Sequence, residues 1–438
     1  MGSVATSFLA ENWKKLTHSM TGDAALLAGS HYASAAVGLL TTIGAARLLG
    51  PENYGLVAMA MAYPTLLWSI VGIKSVSVTA RYVASFHTTD RVDELMSICK
   101  FGYVVDFLLS AMAVILIGLT GWWVAKHVYN LPDATWLMIG YATSFPFLSL
   151  IGTSGAILLG LRRFEWLAAL WLFDRIVTLV LVLGLLSSGF GVPGAILGTA
   201  AGHVAIGLAS VSAATYILHR HAAGLWWWRG SVWQVLTWRN ELAGLFGWNY
   251  LMVTLSGIMS EAPLMLIGRF RGPQEAGLFR LATTVVTAGS YLERSLGNVV
   301  YPVLTARYIA GERESLKSTL KRWTLKGGLP AGALILLTIP FLGAIMPFVL
   351  GPGYAAVVPG AQMMMIGVTV STMFFWLTSY YYASGQIGFW TKTYGVYAVL
   401  TLALGWFFIV QWGLLGMAAL VALGKVSFTL SLGKSALD

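Results

Sequence analysis

Residues 44–56 read GAARLLGPENYGL, and residues 266–278 read LIGRFRGPQEAGL. Arg47, Gly50, Pro51, Gly55 and Leu56 return as Arg269, Gly272, Pro273, Gly277 and Leu278, at an offset of 222. Ala80-Arg81-Tyr82-Val83-Ala84 returns as Ala306-Arg307-Tyr308-Ile309-Ala310, at an offset of 226. Gly191-x-x-Gly194 and Gly202-His203-Val204 return as Gly413-x-x-Gly416 and Gly424-Lys425-Val426, again at 222. One long unit is used twice. Self-similarity on that scale in an apolar chain implies a transporter assembled from two related halves.

The 438 residues are 57% hydrophobic and 10% charged, with a mean hydropathy of +0.75. A soluble domain carries about 25% charged residues, so this chain is an integral membrane protein. Its net charge of +10 does not call for nucleic acid, because positive-inside loops produce the same excess. The single cysteine, Cys99, excludes an internal disulfide, and no metal-ligand cluster is visible. Residues 1–23 lack the apolar core of a cleavable signal peptide. Their Phe8, Leu9, Trp13 and Leu16 suit a short interfacial helix.

A membrane-crossing helix needs about 20 apolar residues. Twelve stretches qualify, at roughly 24–49, 54–78, 101–122, 135–159, 167–187, 192–217, 243–267, 278–302, 327–349, 359–383, 394–410 and 413–432. The expected fold is an all-α polytopic membrane protein. Residues 1–217 form an N-terminal six-helix bundle and residues 243–438 a C-terminal one. An even number of spans per half relates the halves by a pseudo-twofold axis along the membrane normal. The linker 218–242 is expected at the cytoplasmic headgroups, with Trp226, Trp227, Trp228, Trp233 and Trp238 as anchors. With both termini inside, eighteen of the 27 lysines and arginines fall in cytoplasmic segments and five outside, which fixes the orientation.

Ala46-Arg47-Leu48-Leu49-Gly50-Pro51-Glu52-Asn53-Tyr54-Gly55 after a first apolar span resembles the polysaccharide-exporter family. So do Ala80-Arg81-Tyr82 closing the second span and Leu350-Gly351-Pro352-Gly353-Tyr354-Ala355-Ala356 before the tenth. The chain is similar to the Wzx-like oligosaccharide flippases of the multidrug/oligosaccharidyl-lipid/polysaccharide exporter superfamily. That resemblance implies flipping of an undecaprenyl-diphosphate-linked oligosaccharide across the bacterial cytoplasmic membrane, for surface polysaccharide. It also implies a V-shaped pair of bundles whose central cavity is walled mainly by helices 1, 2, 7 and 8. The implied partners are the lipid-linked substrate, membrane lipid, and a glycan polymerase or other assembly proteins. A drug/cation antiporter of the same superfamily is the alternative, and it calls for an acidic cavity. A membrane glycan polymerase or ligase needs a large external loop, which the spans do not leave.

Ionisable residues within spans are costly and mark candidate sites. Arg294, deep in the eighth span, is expected to face the cavity and grip the diphosphate through a bidentate fork. Lys74, near the inner end of the second span, either snorkels or makes the first contact with the diphosphate. His31 and Asn249 either bond sugar hydroxyls or join helices. Glu293 and Glu261 are candidates for H⁺ or Na⁺ coupling, with an Arg280 ion pair as the other reading of Glu261. Asp106 and Arg175 lie at equal depth and are expected to form a structural ion pair. Lys425, at the repeat position of His203, is expected to snorkel inward. Neither a Gly-rich phosphate loop with GK[ST] nor HExxH nor GxSxG occurs. An enzyme, and an ATP-driven pump, are therefore not expected, and neither is a cofactor.

Overall fold

The computed structural model describes residues 2–72, 76–221, 226–236 and 239–437, without the side chains of 2–21, 23–24, 77–78, 236, 239–246, 249 and 313–314. Lys74 and Trp238, the side chain of Asn249, and the side chains of Phe8, Leu9, Trp13 and Leu16 lie outside the described residues.

The N-terminal half contains α1 (Gly2–Val71), α2 (Val76–Thr88), α3 (Val92–Trp123), α4 (Ala134–Ala142), α5 (Phe145–Gly160), α6 (Phe164–Ser187) and α7 (Gly191–His221). A short α8 (Val232–Leu236) follows. The C-terminal half contains α9 (Arg239–Ile309), α10 (Arg313–Trp323), α11 (Leu329–Thr338), α12 (Leu342–Leu350), α13 (Val357–Met373), α14 (Leu377–Ala383) and α15 (Ile387–Leu437). Among the described residues, seven helices are long and apolar enough to cross a membrane, or nine if each bent pair is one span. The bent pairs are α10–α11 with α12, at 57°, and α13 with α14, at 48°.

Three of the long helices hide a reversal. α1 breaks at Gly50 (φ 74°), α9 at Gly272 (φ 83°) and α15 at Gly413 (φ 56°). Only glycine enters such conformations freely, and Pro51 and Pro273 then open the next helix with φ already set. Each break divides a long helix into two limbs.

The left-handed positions record the duplication. Gly50, Asp90, Asn130, Arg162 and Gly191 in the first half answer to Gly272, Gly311, Gly351, Gly385 and Gly413 in the second, at offsets of 221–223. The chain reverses at the same places in both halves. Asp and Asn tolerate this region better than other residues, and Arg162 is stabilised there by the Leu161–Arg163 turn, whose Arg163 amide bonds to Leu158.

The halves meet most closely where the two GP turns face each other. A Cβ on Gly55 would lie 1.8 Å from the Pro273 carbonyl oxygen, and one on Gly277 would lie 2.7 Å from the Pro51 oxygen. The two contacts are reciprocal, as a twofold axis requires. A core that includes Ala46, Met59 and Ala60 of α1 with Leu264, Ala276 and Ala282 of α9 seals this end. Two smaller cores lie each within one half. One holds Cys99, Tyr103 and Leu218, and the other Trp376, Tyr381 and Leu432. Further along, the halves touch again: Tyr250 donates to the Ile70 carbonyl, and Thr254 donates to the Ser69 carbonyl at 3.3 Å.

Part of the linker packs into the N-terminal half. Trp227 is tucked against Tyr103, with ring centroids 4.5 Å apart, and donates to Thr215 at 2.9 Å. Trp228 and Trp233 remain exposed.

The 1.8 Å approach at Gly55 yields a test. Gly55→Ala cannot be accommodated without parting the halves, so the purified protein should melt several degrees lower. Gly118→Ala, where nothing lies within 4 Å, should match or slightly exceed the parent because alanine favours helix. Equal melting of the two variants by fluorescence-detected gel filtration would remove the glycine contact from its proposed role.

Candidate functional site

Between the sealed end and the second line of contact lies an inter-half cavity of about 730 Å³. α1 contributes His31, Tyr32, Ser34 and Thr42; α6 contributes Trp171, Asp174 and Arg175; α9 contributes Thr284, Thr287 and Tyr291. The His31 ring stands edge-on to Trp171 and to Tyr291, each at 5.8 Å, and Tyr32 meets Tyr291 at 6.0 Å. These aromatics bridge the halves. They present apolar faces with polar tips, the surface type that meets both lipid and hydroxyls.

A recess of about 320 Å³ continues the cavity toward the glycine contact, sharing Gly38, Thr42 and Arg175. Tyr54, Thr178, Thr199 and Arg280 complete it. Two guanidiniums and several hydroxyls thus line one small space. Such donors match phosphate oxygens.

Arg175 is half exposed, and its Nε lies 3.4 Å from Asp174 Oδ2. Its two terminal nitrogens have no protein partner among the described residues. The structure does not bring Asp106 and Arg175 together. α6 packs against α1 and α7, whereas α3 packs against α5 and α2. Asp106 is buried at the α3–α5 boundary, where its Oδ2 accepts from the Thr153 hydroxyl at 2.6 Å and the Thr153 amide at 3.2 Å. Equal depth does not ensure pairing, because depth says nothing about direction around a bundle.

Glu261 takes the ion-pair reading. Arg280 Nη1 lies 3.2 Å from its Oε1, and the Ser260 hydroxyl donates to the same oxygen at 3.0 Å. Pro263 follows two residues later inside α9.

Glu293 and Arg294 line a different space, a cavity of about 440 Å³ within the C-terminal half. Lys425 Nζ lies 3.5 Å from Glu293 Oε2, and Ser371 donates to that oxygen at 2.6 Å. Lys425 therefore does not snorkel inward: it serves Glu293 on another helix. Arg294 is absent from the lining of the inter-half cavity, contrary to its expected direction. It shares the inner cavity with Trp390, Tyr394 and Tyr397, and no carboxylate is within salt-bridge reach of it among the described residues. A turn of helix separates it from Tyr291, which does face the inter-half cavity. His203, the repeat counterpart of Lys425, also turns into its own half and meets the Ser144 hydroxyl at 2.9 Å.

From the sequence, Arg280 is offered only as the alternative partner of Glu261, and Arg175 is expected in a structural pair. The recess they share depends on helix packing between halves, which no local pattern encodes. The signal that was present is spacing: Arg280 lies eight residues after the turn glycine Gly272, hence two helical turns inside the span rather than in the loop.

The sequence profile of the polysaccharide biosynthesis protein family matches residues 21–307. The chain belongs to that family. No curated protein matches it. Solved structures share its architecture. The lipid II flippase MurJ, in an inward closed conformation, is 14% identical over 94% of this chain and 87% of its own, with a TM-score of 0.71. An inward-facing multidrug resistance MATE family transporter of the MOP superfamily is 13% identical over 94% of this chain and 93% of its own, at 0.66. The eukaryotic MATE transporter AtDTX14 is 14% identical over 95% of both chains, at 0.63. Such identities establish a shared fold. The family and this fold bear out the resemblance read from the GP turns.

The charge pair of the inner cavity can be tested by a double-mutant cycle. Glu293→Gln and Lys425→Gln should each destabilise the protein, and the double variant should lose less than their sum, with a coupling of about 0.5–3 kcal/mol. Strictly additive losses in thermal melting would show that the two charges do not stabilise one another.

Proposed function

We propose that this family member moves a lipid-linked oligosaccharide across the bacterial cytoplasmic membrane by alternating access. In this reading the halves are residues 1–217 and 243–438, joined by 218–242, with both termini in the cytoplasm. The observation that carries the proposal is the recess holding Arg175 and Arg280 at the end of a hydroxyl- and aromatic-lined cavity. The diphosphate is the part common to every substrate of this class. Fixed guanidiniums recognise it, while Trp171, Tyr32 and Tyr291 border the larger space left for the glycan.

His31 stays a sugar-contacting candidate, because its ring lines the cavity. Lys74 and Asn249 stay proposals of first contact and of sugar bonding. The phosphate grip passes from Arg294 to Arg175 and Arg280. Arg294 and Glu293 become elements of the inner cavity, and a coupling role in H⁺ or Na⁺ movement rests with Glu261 and Glu293. A drug/cation antiporter is favoured less, because the cavity and recess are lined by two guanidiniums and one carboxylate, Asp174. No step of the cycle breaks a covalent bond, so the protein acts as a carrier and not as an enzyme.

Arg175→Ala should abolish glycan export at unchanged membrane level, so that lipid-linked glycan accumulates inside. Arg175→Lys should restore part of the flux, since an ammonium lacks the bidentate fork. Arg294→Ala should retain most of it. Full export by Arg175→Ala, or loss only in Arg294→Ala, would return the grip to Arg294 and reject this assignment.

A further inference from the structure

Arg280 faces two ways. It pairs with Glu261 at 3.2 Å, and it lines the recess beside Arg175. Glu261 is 4% exposed. Its Oε1 receives both Arg280 and Ser260, while its Oε2 is buried with no hydrogen-bond partner. The Tyr129 hydroxyl, within electrostatic reach of Glu261, is likewise buried and unpartnered. A buried carboxylate keeps its charge only while a cation stays beside it. The other titratable groups gathered around the pair are Tyr54 and Tyr63 of α1, Tyr129 beyond α3, and Tyr141 of α4. All four are phenols, neutral near pH 7. None can replace Arg280 as a cation, and Arg175 lies on the recess side.

Given a diphosphate in the recess, as the reading above requires, two anions compete for one guanidinium. The diphosphate offers paired oxygens and more charge than a single carboxylate, so it draws Arg280 toward itself. Glu261 is then left ionised in a dry site. A proton on the vacant Oε2 neutralises it, and that O–H faces the side of the carboxyl that has no partner now.

We propose that Arg280 is shared between Glu261 and the substrate's diphosphate, so that substrate binding loads one proton onto Glu261 and substrate release discharges it. The proton comes from water in the cavity and returns to water. Only an O–H bond is made and broken. Recognition of the anion and proton movement thereby become one event, with Arg280 as the link.

The test uses the purified full chain in lipid nanodiscs and farnesyl-diphosphoryl N-acetylglucosamine, a diphosphate diester that does not itself titrate near neutral pH. Calorimetric titration in two buffers of different ionisation heat counts protons taken up on binding. The parent protein should take up about one proton per ligand, so its affinity should fall by up to about tenfold per unit as the pH rises. Glu261→Gln should take up none, bind independently of pH, and bind more tightly because the competitor is gone. Binding by the parent with no proton uptake and no pH dependence would overturn the sharing while leaving the diphosphate reading intact. So would unchanged uptake in Glu261→Gln. Should that variant fail to fold, the parent's pH series decides alone. Absence of any binding by the parent rejects the diphosphate reading, and the sharing falls with it.

Discussion

The closest approach between the two halves is made by backbone alone. Gly55 lies against the Pro273 carbonyl and Gly277 against the Pro51 carbonyl, each four residues into a helix that a GP turn has just begun. No side chain fits there, so the contact has no rotamer freedom and leaves little slack. Everything on either side is placed by it. The apolar seal formed by α1 and α9 closes above the cavity because those helices are held at backbone distance, and the recess with Arg175 and Arg280 exists because the helices then diverge. Small residues at helix crossings act this way in membranes, where close packing replaces the hydrophobic drive lost in lipid.

Divergence from a tight vertex also explains why the charged residues sort as they do. Near the vertex space is scarce, and Arg280 finds its carboxylate on its own hairpin. Farther away the helices separate enough for aromatics to bridge, as His31, Trp171 and Tyr291 do. Charges that face away from the cleft find partners within their own half: Glu293 pairs with Lys425, and Asp106 accepts hydrogen bonds from Thr153. A bundle interior in lipid tolerates such groups only with partners to hand.

Much of this was legible in the sequence. The offset of 222 located the turns, and the structure places left-handed residues at matching points of both halves. Glycine and proline announce themselves because their backbone constraints are local. Hydropathy marked the long apolar helices equally well. What a single sequence withholds is azimuth, the direction a residue faces around its bundle, because spans that are apolar on nearly every side show little amphipathic stripe. Both errors of direction had this origin. Span membership alone does not turn Arg294 to the cleft, and equal depth alone does not bring Asp106 to Arg175. His203 and Lys425 show the better guide, since repeat equivalence put them in corresponding places although their chemistry differs.

That difference between equivalent places has a mechanical side. In the first half the position is filled by an imidazole packed on Ser144 and Tyr141. In the second it opens on about 440 Å³ of unfilled space crossed by a long ionic contact. Eight of the chain's thirteen prolines also fall in the second half, three of them within α9. Close-packed interiors resist deformation, and voids and interrupted hydrogen-bond ladders relieve that resistance. The two copies of the repeat are thus unequally packed at this one equivalent position.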